Sequence, residues 1–180
     1  MNQASIMQIV FSGFGNNMLI TFLASILPIA IGIGLTFLMN AVKSKGLRIL
    51  FRIIAVLFYC LAPLILMLLS YRVVFMTVRT ALLSIVVALT ISHIGYFVMR
   101  YDSNATAAKN IVINSLGVLS SVFLWSTVSG YVGFNDIVKA CNFISSMEYD
   151  FSYYWIALIV CFLVLAVINI PRMILKEKIK

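Results

Sequence analysis

The 180-residue chain has one histidine, five acidic residues and three cysteines with which to do chemistry. His93 stands beside Ser92 inside an apolar run, with no acid nearby in sequence to orient it, so a nucleophilic or general-base site is not expected there. Its imidazole reads either as a hydrogen-bonded packing group or as a polar group on a transport or pH-sensing path. Ser126, Thr127 and Ser129 form a hydroxyl cluster that could bind a polar solute and offset its desolvation. The same hydroxyls could instead bond their own helix carbonyls or a neighbouring helix. The five acids fall in loops or at the tail, which argues against an intramembrane carboxylate relay. Cys60 and Cys161 sit in apolar runs and Cys141 in a loop, without CxxC or metal-ligand spacing, and read as packing residues. No GxxxxGK[ST] stretch is present, so any ATP hydrolysis belongs to a partner chain. No catalytic residue, metal or cofactor is expected.

The elements that must position these groups are set by composition. The chain is 63% hydrophobic and 10% charged, with a mean hydropathy of +1.12, against about 25% charged residues in soluble domains. A soluble enzyme is excluded. The net charge of +8 does not describe a nucleic-acid surface either, because the basic residues are scattered between apolar runs. The reading is an all-α integral membrane protein, one transmembrane domain over 1–180. Five stretches are apolar enough to cross a bilayer as helices, at about 18–41, 49–70, 81–99, 111–132 and 153–170. The fourth is rich in Ser, Thr and Asn and should lie against other helices or a polar cavity. Pro28 and Pro63 fall within spans and can kink them.

Basic loop residues are retained on the cytoplasmic side. Alternate connections place ten of the 13 Lys and Arg on one side: Lys43, Lys45, Arg48 and Arg52, then Arg100 and Lys109, then Arg172, Lys176, Lys178 and Lys180. Arg72, Arg79 and Lys139 fall on the other. The bias predicts an external N-terminus and a cytoplasmic C-terminus, which agrees with five spans. Arg52 can snorkel from the cytoplasmic end of the second span. The first basic residue is Lys43, so no cleavable signal is expected. Trp125, Tyr131, Tyr153, Tyr154 and Trp155 gather near the external boundary as anchors. The sequon Asn104-Ala105-Thr106 falls on the cytoplasmic side, where glycosylation is not inferred. Between spans four and five, Asn135 can cap a short external helix over 136–146, with Asp136 near its positive end. Ile137, Ala140, Cys141 and Ile144 would give that helix an apolar face.

The order of these features resembles the membrane subunit of a bacterial binding-protein-dependent ABC importer of the polar amino-acid type. Gly15, Thr21, Gly32 and Gly34 are similar to the family's opening helix, and Ala62-Pro63-Leu64 to the end of its Arg-Gly-Thr-Pro-Leu signature, with Cys60 and Leu61 in place of Arg and Gly. Ser126-Thr127-Val128 resembles its Thr-Ser-Leu. Gly133-Phe134-Asn135-Asp136-Ile137 resembles its Gly-Val-Pro-Glu-Leu, with Lys139, Ala140 and Ile144 following in register. The departure is in the loop over 100–110, where the family carries the Glu-Ala-Ala motif of the helix that docks in the ATPase. Here Ala107-Ala108 stands without a Glu, and about ten residues cannot form a two-helix element.

The resemblance implies a type I ABC permease-like subunit of the bacterial inner membrane, moving an amino acid or similar small polar solute as half of a dimeric pathway. It implies an ATPase subunit, a second permease subunit and an external solute-binding protein as partners, with membrane lipid around it. Ser126, Thr127, Ser129 and His93 are then the expected pathway residues, and Pro63, Gly133 and Asp136 the structural motif positions. The alternative is a non-transporting structural or regulatory subunit of a larger complex. A solute-binding membrane component of the energy-coupling-factor type is similar in size, but six spans with both ends inside would be expected of it.

Overall fold

The computed structural model describes residues 2–74, 80–101 and 105–177, with the side chain of Val74 excepted. Arg79, the sequon residue Asn104 and the C-terminal Lys178 and Lys180 lie outside the described residues. Every regular element described is helical: α1 (Gln3–Ala41), α2 (Lys45–Tyr59), α3 (Pro63–Leu69) leading into a π-helical turn (Ser70–Val74), α4 (Ala81–His93), α5 (Tyr96–Met99), α6 (Ala107–Ser126), a 3-10 turn (Ser129–Val132), α7 (Ile137–Glu148) and α8 (Tyr153–Glu177).

The helix α1 has 39 residues, about 58 Å at about 1.5 Å per residue, against a hydrocarbon core of about 30 Å. It begins near Asn2, whose side chain accepts from the Ala4 amide. It starts 15 residues before the span expected at 18. Asn16 and Asn17, which depress the hydropathy there, are satisfied by distant partners, and Ile6 and Val10 pack with Ile137, Cys141 and Ile144 of α7 and Ala157 of α8. Two further clusters follow along α1. Ile20 and Ala24 join Met67, Ile85, Leu89, Phe97, Val118 and Val122 in the middle, and Met39 joins Ala55, Val98 and Tyr101 at the far end. The single helix thus touches all three parts of the core.

The expected second and third spans are broken helices. The chain leaves α2 at Cys60, and Pro63 opens α3 at its first turn, where the missing amide costs no hydrogen bond. Pro63 therefore starts a new helix instead of kinking one, and α2 and α3 meet at 63°. The third run divides at Ile94–Gly95 into α4 and α5. A side chain at Gly95 would collide with the Ala55 carbonyl of α2, so glycine here permits the close crossing of the two broken helices. Four helical segments, Gln3–Ala41, Ala81–Met99, Ala107–Ser126 and Tyr153–Glu177, are long and apolar enough to cross a membrane, and the bent α2–α3 pair is a fifth if taken as one span.

The other boundaries shift for local reasons. The helix α6 begins at Ala107, capped by Thr106, and ends at Ser126 in place of the expected 111–132; the remainder winds as the 3-10 turn. The cap of α7 is Asp136, whose Oδ1 accepts from the Lys139 amide at 2.7 Å, not Asn135, whose carbonyl accepts from Asn16 instead. Gly133, with φ of +87°, supplies the left-handed turn that reverses the chain before this cap. The helix α8 runs on through Pro171 to Glu177, past the expected end at 170. Its last turns are held by Arg172 Nη2, which donates to Tyr96 Oη at 2.7 Å, and by Asn169 Nδ2, which donates to Ser120 Oγ at 2.8 Å.

Candidate functional site

The four expected pathway residues fall into three places. His93 ends α4 and is buried, yet lines a cavity of about 280 Å3 with Tyr59, Pro63, Ser92, Ser121 and Trp125. Its Nδ1 is 2.8 Å from the Leu89 carbonyl, which can only accept, so Nδ1 carries the proton and donates. Nε2 then accepts from the Ser121 hydroxyl at 2.8 Å. Ser92 Oγ lies 2.9 Å from Nδ1 and within reach of the same carbonyl. Helix ends meet around this space: α2 stops at Tyr59, α3 starts at Pro63 and α4 stops at His93. Breaks of this kind free backbone groups where they line a cavity, as in discontinuous membrane helices that bind solutes.

Ser126 and Ser129 lie elsewhere, in a buried network between α1, α6 and α7. Asn17 Nδ2 donates to Ser126 Oγ at 2.9 Å, and Ser126 donates to the Phe123 carbonyl at 2.7 Å. Asn17 Oδ1 accepts from the Ile137 amide at 2.8 Å, so one side chain ties two other helices to α1. Beside it, the Asp136 carboxylate accepts from Ser129 Oγ at 3.1 Å and from the Gly130 amide as well as from Lys139. Burial pushes the Asp136 carboxyl above the ordinary carboxylate range, with the amides of Lys139 and Gly130 and the Ser129 hydroxyl pulling against that rise. Asn17, Ser126, Ser129 and Asp136 are all almost wholly buried. They join helices to one another, and Gly133 and Asp136 shape the turn that brings α7 back onto α1.

Thr127 takes the third place. It lines a more open cavity of about 420 Å3 at the α7 end of the bundle, with Gly130, Tyr131, Lys139, Asn142 and Tyr154, and the Asp136 end of the buried network borders it. The Thr127 hydroxyl donates to its own helix at Leu124, and Tyr154 Oη donates to Asn142 Oδ1 across the rim. The inner and outer cavities are both met by α6. Trp125 in its last turn lines the first and Thr127, its C-cap, lines the second.

Sequence reasoning missed Asn17 as a tie between helices, and Tyr59 and Trp125 as cavity-lining residues. An asparagine in an apolar run was a usable signal, since such a group needs a partner. Tyr59 carried none, and Trp125, expected as an anchor at the external boundary, is instead half-buried in the cavity wall and packed against the middle cluster. Cys60 is exposed, Cys141 buried and Cys161 half-buried, all as free thiols. Among the described residues no group of His, Cys, Asp and Glu is placed to hold a metal ion.

No protein-family model matches the sequence, and no curated protein matches it. Among solved structures, the chain is similar to one described as the crystal structure of an amino acid ABC transporter with histidines, at 19% identity and a TM-score of 0.72, over 99% of each chain. The resemblance read from the sequence is thereby supported at the level of the fold. From end to end, this chain has the all-helical fold of a chain of an amino acid ABC transporter.

Proposed function

We propose that this chain is a permease-type membrane subunit of an ABC transporter, carrying an amino acid or similar small polar solute. The observation that carries the reading is the fold likeness over the full length of both chains. In this reading the solute contacts the cavity at the helix breaks, where Ser92, Ser121 and His93 offer hydroxyl and imidazole groups beside Tyr59 and Trp125. A volume of about 280 Å3 lies near the lower limit of about 300 Å3 for small-molecule sites, which suits a compact solute. Thr127 lies on the route from the outer cavity, and Ser126 and Ser129 hold its wall.

The orientation that fits the basic residues has the N-terminus outside and the C-terminus in the cytoplasm of a bacterial cell, in the inner membrane. The chain is not itself an enzyme; a separate ATPase supplies the energy, a second permease subunit completes the pathway, and an external solute-binding protein delivers the solute. The test is ATP-dependent uptake of labelled amino acids into proteoliposomes holding the purified complex. Uptake that His93→Gln reduces while assembly is unchanged supports the reading, and no uptake with any combination of subunits overturns it.

One feature favours a second reading, a non-transporting structural or regulatory subunit. Because α6 begins at Ala107, the connection from α5 spans only 100–106, too short for a separate coupling helix. This reading predicts co-purification with a larger complex whose uptake does not depend on the His93 cavity.

A further inference from the structure

The helix α2 carries Lys45, Arg48 and Arg52 three and four residues apart, so the three cations share one stripe. With Ile49 they line an open cavity of about 230 Å3. Lys45 and Arg52 are exposed; Arg48 is half-buried, with Nε donating to the Val42 carbonyl at 2.9 Å. Leu47, Leu50, Ile54 and Leu57 occupy the flank away from this stripe and are exposed as well. The helices that α2 packs against, α1, α4 and α5, contain no acidic residue to neutralise the stripe.

The depth of α2 follows from its one buried residue. Ala55 packs with Met39, in the last turn of α1, and with Val98, next to the last residue of α5. At Ala55 the helix is therefore level with that end of the bundle. The ten residues before it, about 15 Å of helix, carry the three cations and follow the end of α1 after the short connection 42–44. A strongly amphipathic helix with cations on one face and apolar side chains on the other is suited to the plane of a membrane interface.

We propose that the first turns of α2, from Lys45 to Arg52, lie at the membrane interface, the rest of α2 continuing with α3 as the bent span, and that Lys45, Arg48 and Arg52 together hold the phosphate headgroup of an anionic phospholipid. This rests on the chain being a membrane protein and is independent of what it transports. A lipid satisfies both halves of the surface at once: its phosphate meets the cations, and its acyl chains meet Leu47, Leu50, Ile54 and Leu57. An acidic soluble partner would meet the cations and leave the apolar flank in water.

The test is native mass spectrometry of the full-length protein in non-ionic detergent, titrated with phosphatidylglycerol and phosphatidylcholine of identical acyl chains. The wild type is expected to retain phosphatidylglycerol preferentially. The variant K45Q/R48Q/R52Q is expected to lose about a hundredfold in that affinity, about fivefold for each cation near an anionic surface, with phosphatidylcholine unchanged. The charge-conserving K45R/R48K/R52K should keep it. Equal binding of the two lipids by the wild type, undiminished binding by the neutral variant, or displacement by millimolar inorganic phosphate would each overturn the proposal. If the neutral variant does not fold, the wild type decides alone: its preference must fall at high salt, and a preference indifferent to salt sinks the idea.

Discussion

Two polar regions of the bundle use similar side chains for different ends. Around Asn17 and Asp136, hydroxyl, amide and carboxylate groups are buried and face one another across three helices. Around His93, the imidazole is fully engaged, but the Ser92 and Ser121 hydroxyls border open space where three helix ends meet. The difference is between groups whose bonding is consumed within the protein and groups that can exchange one bond for another at little net cost. The first region fixes geometry; the second leaves hydroxyls beside open space, where the proposed pathway would run.

This contrast can be broken most severely at Asp136. Asp136→Ala removes the α7 cap and strands the Ser129 hydroxyl and the Gly130 amide, which should cost about 2–4 kcal/mol from the loss of a cap and of buried partners. Thermal unfolding in detergent reads this, and an unchanged midpoint would show that the network is not structural. Asn17→Ala should follow at about 2–3 kcal/mol, since the Ile137 amide is left buried without an acceptor.

The cavity should answer in the other direction. His93→Gln or Ser121→Ala is expected to weaken solute binding by about tenfold, the worth of one hydrogen bond, with a much smaller change in stability than Asp136→Ala. A His93 or Ser121 variant that unfolds the protein but leaves the affinity of the surviving fraction intact would erase the distinction.

The pH dependence sharpens the first region. The Asp136 carboxyl lies above its ordinary value of 3.8 in the folded protein, so its folded state favours the protonated form. Its contribution is fully present below that ordinary value and falls as pH rises through the folded pKa. Asp136→Asn cannot ionise, so wild type should lose stability relative to it across that window; a constant difference would refute the assignment. The smallest effect is expected at Thr127→Val, within about 0.5 kcal/mol, because the hydroxyl bonds only its own helix at Leu124.

Much of this molecule was legible in its sequence where the signal is local. Apolar length located the helices, and Ile137, Ala140, Cys141 and Ile144 at helical spacing announced the buried face of α7. The stretch from Gly133 to Asp136 announced the turn and cap, one residue away from where the cap forms. What stayed hidden depends on partners far along the chain. Asn16 and Asn17 argued against a helix there until partners beyond residue 125 satisfied them. His93 looked isolated because Ser121 lies 28 residues away on another helix. The break before Pro63 was partly readable, since the residue before a proline avoids the helical region, but the matching break at Gly95 is set by the Ala55 backbone crossing it. Ser126, Thr127 and Ser129 are neighbours in sequence, yet only two of them share an environment.

The long α1 also sets an order of events at the ribosome. Asn17 leaves the tunnel 109 residues before Ser126 and 120 before Ile137, the groups that satisfy it. At about 5–20 residues per second, its amide waits on the order of ten seconds for those partners. Until then the N-terminal half of α1 cannot rest unaided in hydrocarbon, and must be sheltered by water, headgroups or the insertion machinery. The nascent chain therefore commits its first helix before the groups that justify it exist, and slowing translation between these segments should expose intermediates to membrane proteases.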